Sequence, residues 1–430
     1  MRIIVFFSAL VCLMMLASAS GVAGAAAPTY VRYNRETYDY FATVCALSLY
    51  TEDAGAPGKA HFEQTWAQVR ALMGEIEQAV SVSVPESDIA RFNRLRYGQS
   101  LSISPHTAAI LRIAKQVHAQ TGGLYDPTVY PLVDLWGFSP RFNAVTYLPE
   151  CAYDRSYRDG QLPLPEKKYI EALHALVNLD GVVLTREAAG GVRMTKNIRP
   201  VRLDGVTYEA KIDLGGIAKG YAADRVIERL REAGYRYGHF VCGGSSMAML
   251  KCASPKSVEN GTYAYALGVR KPRAGRNKDS SFVKVSVSDV TLSSSGDYSH
   301  GYVQGGVRYC HIIDPRTGYP INVPDGGLPD GSVQAGIAAI TLLSPDATYN
   351  DAMSTALCVM GGAKAIDYIN QNLRNTQAIL TLYRADADAL EVVTNLPEGA
   401  CEITDDAYMP ASHLGQDGAI DYTGEFLSGQ

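Results

Sequence analysis

The sequence predicts an α+β fold, with strands and helices in separate layers rather than a doubly wound sheet. Two observations carry this. Strand-like and helix-like stretches are interleaved without a regular strand–helix–strand repeat, and no internal repeat of about 20 to 50 residues is visible. No Gly/Pro-rich linker divides the chain cleanly, so one large domain is expected over 28–400, followed by a C-terminal tail over 401–430. At 430 residues there is ample chain to bury a core. Apolar residues are 47% and charged residues 19%, which excludes both a disordered chain and a membrane-spanning one. A net charge of -5 implies no broad basic surface, so small molecules or proteins are expected as partners and nucleic acid is not.

Taken in order, Met1 to about Ala27 lies outside the fold. Arg2 supplies a positive start, Ile3 to Leu16 an apolar run, and Ala23-Gly24-Ala25 a small-x-small cleavage signal, so the chain reads as exported to the periplasm or cell envelope. A rival reading, an uncleaved anchor giving membrane association, is disfavoured because the apolar run is short for a bilayer. Cys12, preceded by Leu10-Val11, is a poor lipidation site. The mature chain keeps Cys45, Cys151, Cys242, Cys252, Cys310, Cys358 and Cys401, with no C-x-x-C and no zinc-site spacing. An oxidising compartment permits disulfides, but the pairing stays open. Buried free thiols are the alternative, favoured for Cys358 on an apolar helix face.

An extended Tyr-rich stretch (Tyr33 to Val44) leads into a first strand over Ala46 to Tyr50, and a Gly/Pro loop follows to Gly58. Phe62, Trp66, Val69, Met73, Ile76 and Val80 then recur at helical spacing over His61 to Val80. Ser104 and Pro105 start a second helix as N-cap and first position, and Gly122-Gly123 ends it. From about 139 to 160 the chain lacks periodicity and reads as a surface insertion. A helix is expected over Pro165 to Val177, then short strands from Leu179 with turns at Asp180-Gly181, Gly190-Gly191 and Asp204-Gly205. Lys211 to Leu214 reads as a strand, Gly215-Gly216 as a tight turn, and the residues from Ile217 as a helix. Further strands are expected over His239 to Cys242, Met247 to Lys251, Phe282 to Leu292, Arg308 to Ile313 and Val333 to Leu343. A last long helix runs from Asn350 to about Asn372.

Three stretches could carry chemistry. The strand–glycine–helix corner at Lys211 to Arg225 would aim free N–H groups and a positive dipole end at one point, which suits phosphate, with Asp213 beside it and Lys219 one turn inside the helix. A plain connection with solvated Asp and Lys is the alternative. Asp351 and Thr355 lie four apart on the last helix, so a carboxylate and a hydroxyl share a face. Two hard oxygens suit Mg²⁺ or Ca²⁺, and a carbonyl near Gly216 could complete the set, although an Asp near a helix start is often only a cap. His311, three residues before the Asp314-Pro315 turn, is a candidate general base, with a histidine satisfied inside the sheet as the alternative. Ser293-Ser294-Ser295-Gly296-Asp297 reads as a hydroxyl-rich loop. Ser281-Phe282-Val283-Lys284 satisfies S-x-x-K, but that motif needs its Ser at a helix start and these residues alternate as a strand.

Five blocks then fall in consistent order from about Glu63 to Asn372: Tyr125-Asp126-Pro127-Thr128-Val129 with Leu135-Trp136-Gly137-Phe138, KIDLGGIAKGYAAD, SSSGDY, HIIDPRTGYP and DAMSTALCVMG. Together they resemble the ApbE family, the FAD:protein FMN transferases. The resemblance implies largely antiparallel sheets flanked by helices, a T-fold-like arrangement with a central groove. It also implies an exported, Mg²⁺-dependent enzyme that cleaves FAD, attaches FMN by a phosphoester to Thr or Ser of an acceptor flavoprotein, and releases AMP. By the family pattern Leu124, Tyr125, Asp126, Asp213, Lys219, Ser295, His311 and Ile312 would contact FAD. Gly216 through its carbonyl, with Asp351 and Thr355, would hold Mg²⁺, and His311 would take the acceptor's proton.

Departures from that pattern matter. Phe41-Ala42-Thr43 stands where the family usually has Met-Gly-Thr, and Ser83 where it usually has a Tyr, both beside the flavin ring. Ring stacking must then come from another side chain. Ser245-Ser246 follows the Gly243-Gly244 pair where Asn or Glu is usual, and His300 replaces a common Arg. Two other functions therefore stay in view, an FAD pyrophosphatase with water as acceptor and a flavin-binding protein without turnover. No D-x-x-[ST]-G-A-[ST] acceptor motif occurs in this chain, so self-flavinylation is not expected.

Overall fold

The structure is a computed structural model, and it describes residues 28–139, 164–272, 281–298, 300–305, 307–323, 336–383, 390–397, 399–404, 408–410, 413–414 and 420–421. The leader, and all of the expected insertion except Ser139, lie outside the described residues. Among the described residues no helix is long and apolar enough to cross a membrane.

The Tyr-rich stretch does more than extend. It forms β1 (Val31–Thr37), antiparallel to β2 (Cys45–Thr51) with Val31 opposite Thr51. Helix α1 (Ala56–Val80) starts earlier than His61 because Pro57 is tolerated in its first turn, and it buries Phe62, Trp66, Val69, Met73 and Ile76 on one face. Helix α2 (Pro105–Gln120) begins where expected, with Ser104 Oγ accepting the Thr107 N–H. It stops before Gly122 and Gly123, at φ +62° and +89°.

Nine strands make the main sheet, and their spatial order is their chain order: β1, β2, β3 (Tyr237–Cys242), β4 (Ser246–Met249), β5 (Val290–Gly296), β6 (Ile337–Ser344), β7 (Gln377–Tyr383), β8 (Leu390–Thr394) and β9 (Tyr408–Pro410). Every neighbouring pair is antiparallel except β8 and β9, which are parallel. Three long helices follow from the sequence pattern: α3 (Ala218–Glu232), α4 (Ala347–Met360) and α5 (Gly362–Asn372). Alternation along β2 turns Leu47 and Leu49 toward α1 and α3, where they pack with Phe62, Met73, Val226 and Leu230. Each such buried Leu or Phe contributes about 1.5–3 kcal/mol. Tyr50 faces the other way, onto a three-stranded sheet (Tyr265–Arg270, Ser281–Val287 and Cys401–Ile403) that packs Phe282 and Val285 against Leu292, Leu343 and Ile379. The α+β layering is thus helices, a nine-stranded sheet, and a small second sheet.

Several expected elements are corrected. Phe282 to Leu292 is two strands in two sheets, Ser281–Val287 and β5, because Asp289 takes φ +47° and turns the chain between them. Both halves alternate, so the period conceals the break. Ser293 to Ser295 are not a loop; they lie inside β5, in the middle of the main sheet. The last helix is interrupted by Gly361, whose φ +86°, ψ 162° is open essentially to glycine alone. Lys211 to Leu214 carries no strand. Instead the Ile212 N–H and C=O bond to the Asn93 side-chain amide at 2.8 and 2.9 Å, and the Asp213 N–H to Pro127 O at 3.1 Å, so a side chain replaces the neighbouring strand. The strand before His311 ends at Cys310, and the helix expected over Pro165 to Val177 is shorter, Lys167–His174. The boundary expected at residue 400 is not the end of the fold, because Cys401–Ile403 and β9 pair into both sheets beyond it.

Candidate active site

The glycine corner sits where α3 meets α4. Asp213 Oδ1 accepts the Gly215 N–H at 2.9 Å, closing the turn, and the Ile217 and Ala218 N–H groups donate back to Leu214 O at 3.1 and 2.9 Å. Fewer amides are free for an anion than the strand–turn–helix reading expects, because the turn consumes them. Lys219 folds back, its Nζ donating to Gly215 O at 2.6 Å. Burial raises the Asp213 carboxyl above its ordinary value, opposed by the Gly215 N–H and by Lys219.

One first-turn amide of α3 is answered from α4. Gly220 is the third residue of α3, so its N–H has no acceptor within the helix, and it donates to Asp351 Oδ2 at 3.0 Å. Asp351 is buried in α4, and burial raises its carboxyl, opposed chiefly by Lys219. This crossing is possible because α3 presents a glycine there. A Cβ on Gly220 would stand 2.2 Å from Ala347 O and 2.8 Å from Asp351 Cβ. The start of α4 is fixed twice over, by Asp346 accepting the Tyr349 N–H and by Asp224 of α3 accepting the Ala347 and Thr348 N–H groups at 2.9 and 2.8 Å.

A cluster of hard oxygens lines this junction. Thr355 Oγ1 is 3.2 Å from Ser295 Oγ of β5, which is 2.8 Å from Ser354 Oγ. A Cβ at Gly216 would stand 3.7 Å from Thr355 Oγ1 and 3.9 Å from Tyr125 Oη, so corner, helix and phenol converge. Among the described residues no three His, Cys, Asp or Glu gather as a metal cluster. Asp351 and Thr355 share a face of α4 and Gly216 stands beside Thr355, so this junction offers one carboxylate, hydroxyls and a backbone carbonyl, donor types that suit a hard cation.

The remaining sequence-named residues divide. Tyr125 is buried, and its phenol is held well above its ordinary value by burial and then by Asp351 and Asp213. Leu124 and Ile312 are buried apolar side chains. The Asp126 carboxylate is spent internally on the Thr128 N–H at 2.8 Å and the Leu179 N–H at 3.1 Å, which leaves its backbone as the part available to a ligand. His311 is half-buried, its N–H donating to His300 O at 3.0 Å and its Nδ1 lying 3.2 Å from the same oxygen. Burial, the nearby His300 and Lys219 push the His311 ring down to about 4, so it is neutral at pH 7.

Sequence reasoning missed Gly220, Asp224, Asn93 and Ser354. A glycine inside an otherwise strong helix pattern was the one available signal. Of the residues that depart from the family pattern, Phe41 and Ala42 both adopt left-handed backbone, at φ +54° and +49°, with the Phe41 N–H held by Glu77 Oε2 at 2.9 Å. Thr43 lies against the corner, since a Cβ on Gly243 would meet its Oγ1 at 3.0 Å and Lys219 Cδ at 3.3 Å.

The fold is that of the flavin transferases of known structure. The flavin transferase ApbE from Vibrio cholerae superposes with a TM-score of 0.63 at 22% identity, covering 85% of this chain and 97% of that one. The ApbE protein of Thermotoga maritima superposes at 0.60 and 23% identity, covering 82% and 94%. The chain belongs to the ApbE family, whose sequence model matches residues 41–380. Among its curated relatives are the FAD:protein FMN transferase of Haemophilus influenzae, 27% identical over 75% of this chain and 80% of that protein, and that of Vibrio cholerae, 25% identical over 74% and 79%.

Proposed function

We propose that the chain is an exported, Mg²⁺-dependent FAD:protein FMN transferase that moves FMN from FAD to a Thr or Ser hydroxyl of an acceptor flavoprotein and releases AMP. The observation that carries the reading is the bond from the Gly220 N–H to Asp351 Oδ2, which draws together two segments 131 residues apart around hard oxygens, with Gly216 just ahead of the helix and beside Thr355. Asp351, Thr355 and the Gly216 carbonyl would hold Mg²⁺, and their oxygen chemistry fits that ion. Bound there, Mg²⁺ supplies charge neutralisation on the pyrophosphate.

The chain's own residues supply the rest. Lys219 brings a second positive charge to the corner, and Asp213 keeps the glycine turn closed through Gly215. With Nδ1–H donated to His300 O, His311 keeps a lone pair on Nε2 to take the acceptor hydroxyl's proton as its oxygen bonds to the FMN phosphorus and the bond to AMP breaks. Ser295, bonded to Ser354 and near Thr355, holds α4 on the sheet.

The test is incubation with FAD, Mg²⁺ and an acceptor domain bearing a flavinylation motif. Flavin fluorescence on the acceptor with release of AMP is expected. Free FMN with AMP would make the chain a pyrophosphatase, and unchanged FAD a carrier. EDTA and Asp351→Ala should each reduce transfer by about two orders of magnitude or more; activity that survives either one removes the metal assignment.

A further inference from the structure

We infer that Cys45 and Cys242 are the site of a cross-strand disulfide. The two stand directly opposite each other in the β2–β3 ladder, both fully buried, with their sulfurs 3.8 Å apart. The Gly243 N–H donates to Val44 O at 2.8 Å, so the adjacent Val44–Gly243 pair is a hydrogen-bonded one. Cys45 and Cys242 therefore fall at a non-hydrogen-bonded position, where Cα atoms lie ~4.5 Å apart and side chains approach most closely. A disulfide spans Cα separations of ~4.4–6.8 Å, so the backbone already has the spacing the bond needs.

Two of the other described thiols are engaged differently. Cys310 Sγ faces the Ile312 and Ile321 carbonyls at 3.8 and 3.9 Å, and Cys252 Sγ contacts Ser254 Oγ at 3.4 Å. An odd number of cysteines in the mature chain left pairing undecided from sequence; strand register decides it.

Formation is thiol–disulfide exchange with an external disulfide. The Cys45 and Cys242 thiols lose two protons and two electrons, one S–S bond forms, and the external disulfide is reduced to two thiols. Because both sulfurs are buried in the finished sheet, exchange takes place as β2 docks on β3. The bond would join positions 197 apart in sequence, a long loop whose closure restricts the unfolded chain strongly. It would also tie the strand ends carrying Thr43 and Gly243 beside Lys219. If the transferase reading holds, reduction should then raise KM for FAD more than it lowers kcat.

The test is refolding of the mature chain, from residue 28, with oxidised glutathione as the external disulfide, followed by alkylation and tryptic mapping without reduction. Glu36–Lys59 contains Cys45 alone and Tyr237–Lys251 contains Cys242 alone, so a mass equal to their sum less two hydrogens identifies the bond. That mass is expected. It should vanish in Cys45→Ser and persist in Cys252→Ser, and reduction should lower the melting temperature by several degrees. Recovery of Cys45 or Cys242 alkylated, glutathionylated or joined to another cysteine overturns the inference. The wild-type map decides the matter even if Cys45→Ser does not fold, and even if no FMN transfer is detected.

Discussion

At the scale of single residues, His311 makes the sharpest statement. A neutral ring with its pKa at about 4 stays a proton acceptor well below the ordinary imidazole range, because burial disfavours the charged ring and His300 and Lys219 stand nearby. The acid limb of kcat/KM for FMN transfer, measured at saturating Mg²⁺, is therefore expected below pH 6 rather than near 6.5; a limb at 6.5 would remove His311 as the base. His311→Ala should lower kcat by about 10²–10⁴-fold while leaving FAD binding, followed by flavin fluorescence, nearly intact. The placement of such residues was legible from residue type and spacing: Asp351 and Thr355 do share a helix face, and Gly216 does stand beside Thr355. What the sequence hid is how each side chain is spent. Asp126 looks like a ligand contact in the chain and is consumed by Thr128 and Leu179 in the fold, because hydrogen-bond partners 53 residues away leave no local trace.

At the scale of elements, the contact between α3 and α4 decides whether there is a site. Gly220→Ala would drive a methyl into Ala347 O, so the helices must separate and the bond to Asp351 must lengthen. The expected result is a fold destabilised by about 1–3 kcal/mol, read from urea unfolding, with transfer activity lost disproportionately; full activity would mean the helix junction tolerates displacement. Asp224 acts at the same junction. Its carboxyl, raised from 3.8 to about 6 chiefly by burial, binds its proton more tightly in the folded chain than in the unfolded one. Its contribution to stability is thus greatest below pH 3.8 and falls as pH rises through 6. Asp224→Ala leaves the Ala347 and Thr348 N–H groups unpaired and should cost about 2–4 kcal/mol at neutral pH, with a flatter pH dependence between 4 and 6. An unchanged urea midpoint would deny it the capping role. The helices themselves were readable, since apolar spacing and the Ser104-Pro105 start are local signals. The breaks at Asp289 and Gly361 were not, since each depends on one residue's backbone angle inside an unbroken pattern.

At the scale of the whole molecule, the α+β layering and the order of the main elements follow from pattern, but the second sheet does not. Its third strand comes from Cys401–Ile403, more than a hundred residues after its partner, and nothing in a short polar stretch announces that pairing. Removing 401–430 is therefore expected to uncover Val283 and Val285 and strip β9 from β8. The truncated protein should melt lower and precipitate more readily in light scattering; a melting temperature equal to the full chain's would make that segment dispensable.

The hydroxyls of β5 have a wider consequence. Ser293 Oγ donates to Ala347 O at 3.1 Å and Ser295 Oγ reaches Ser354 at 2.8 Å, so α4 is pegged to the central strand at two points by the chain's own hydroxyls. A helix pinned in this way owes its position to the sheet beneath it. Shortening either serine would therefore loosen the whole rod that bears Asp351 and Thr355, and damage made in the sheet would be felt at its far side.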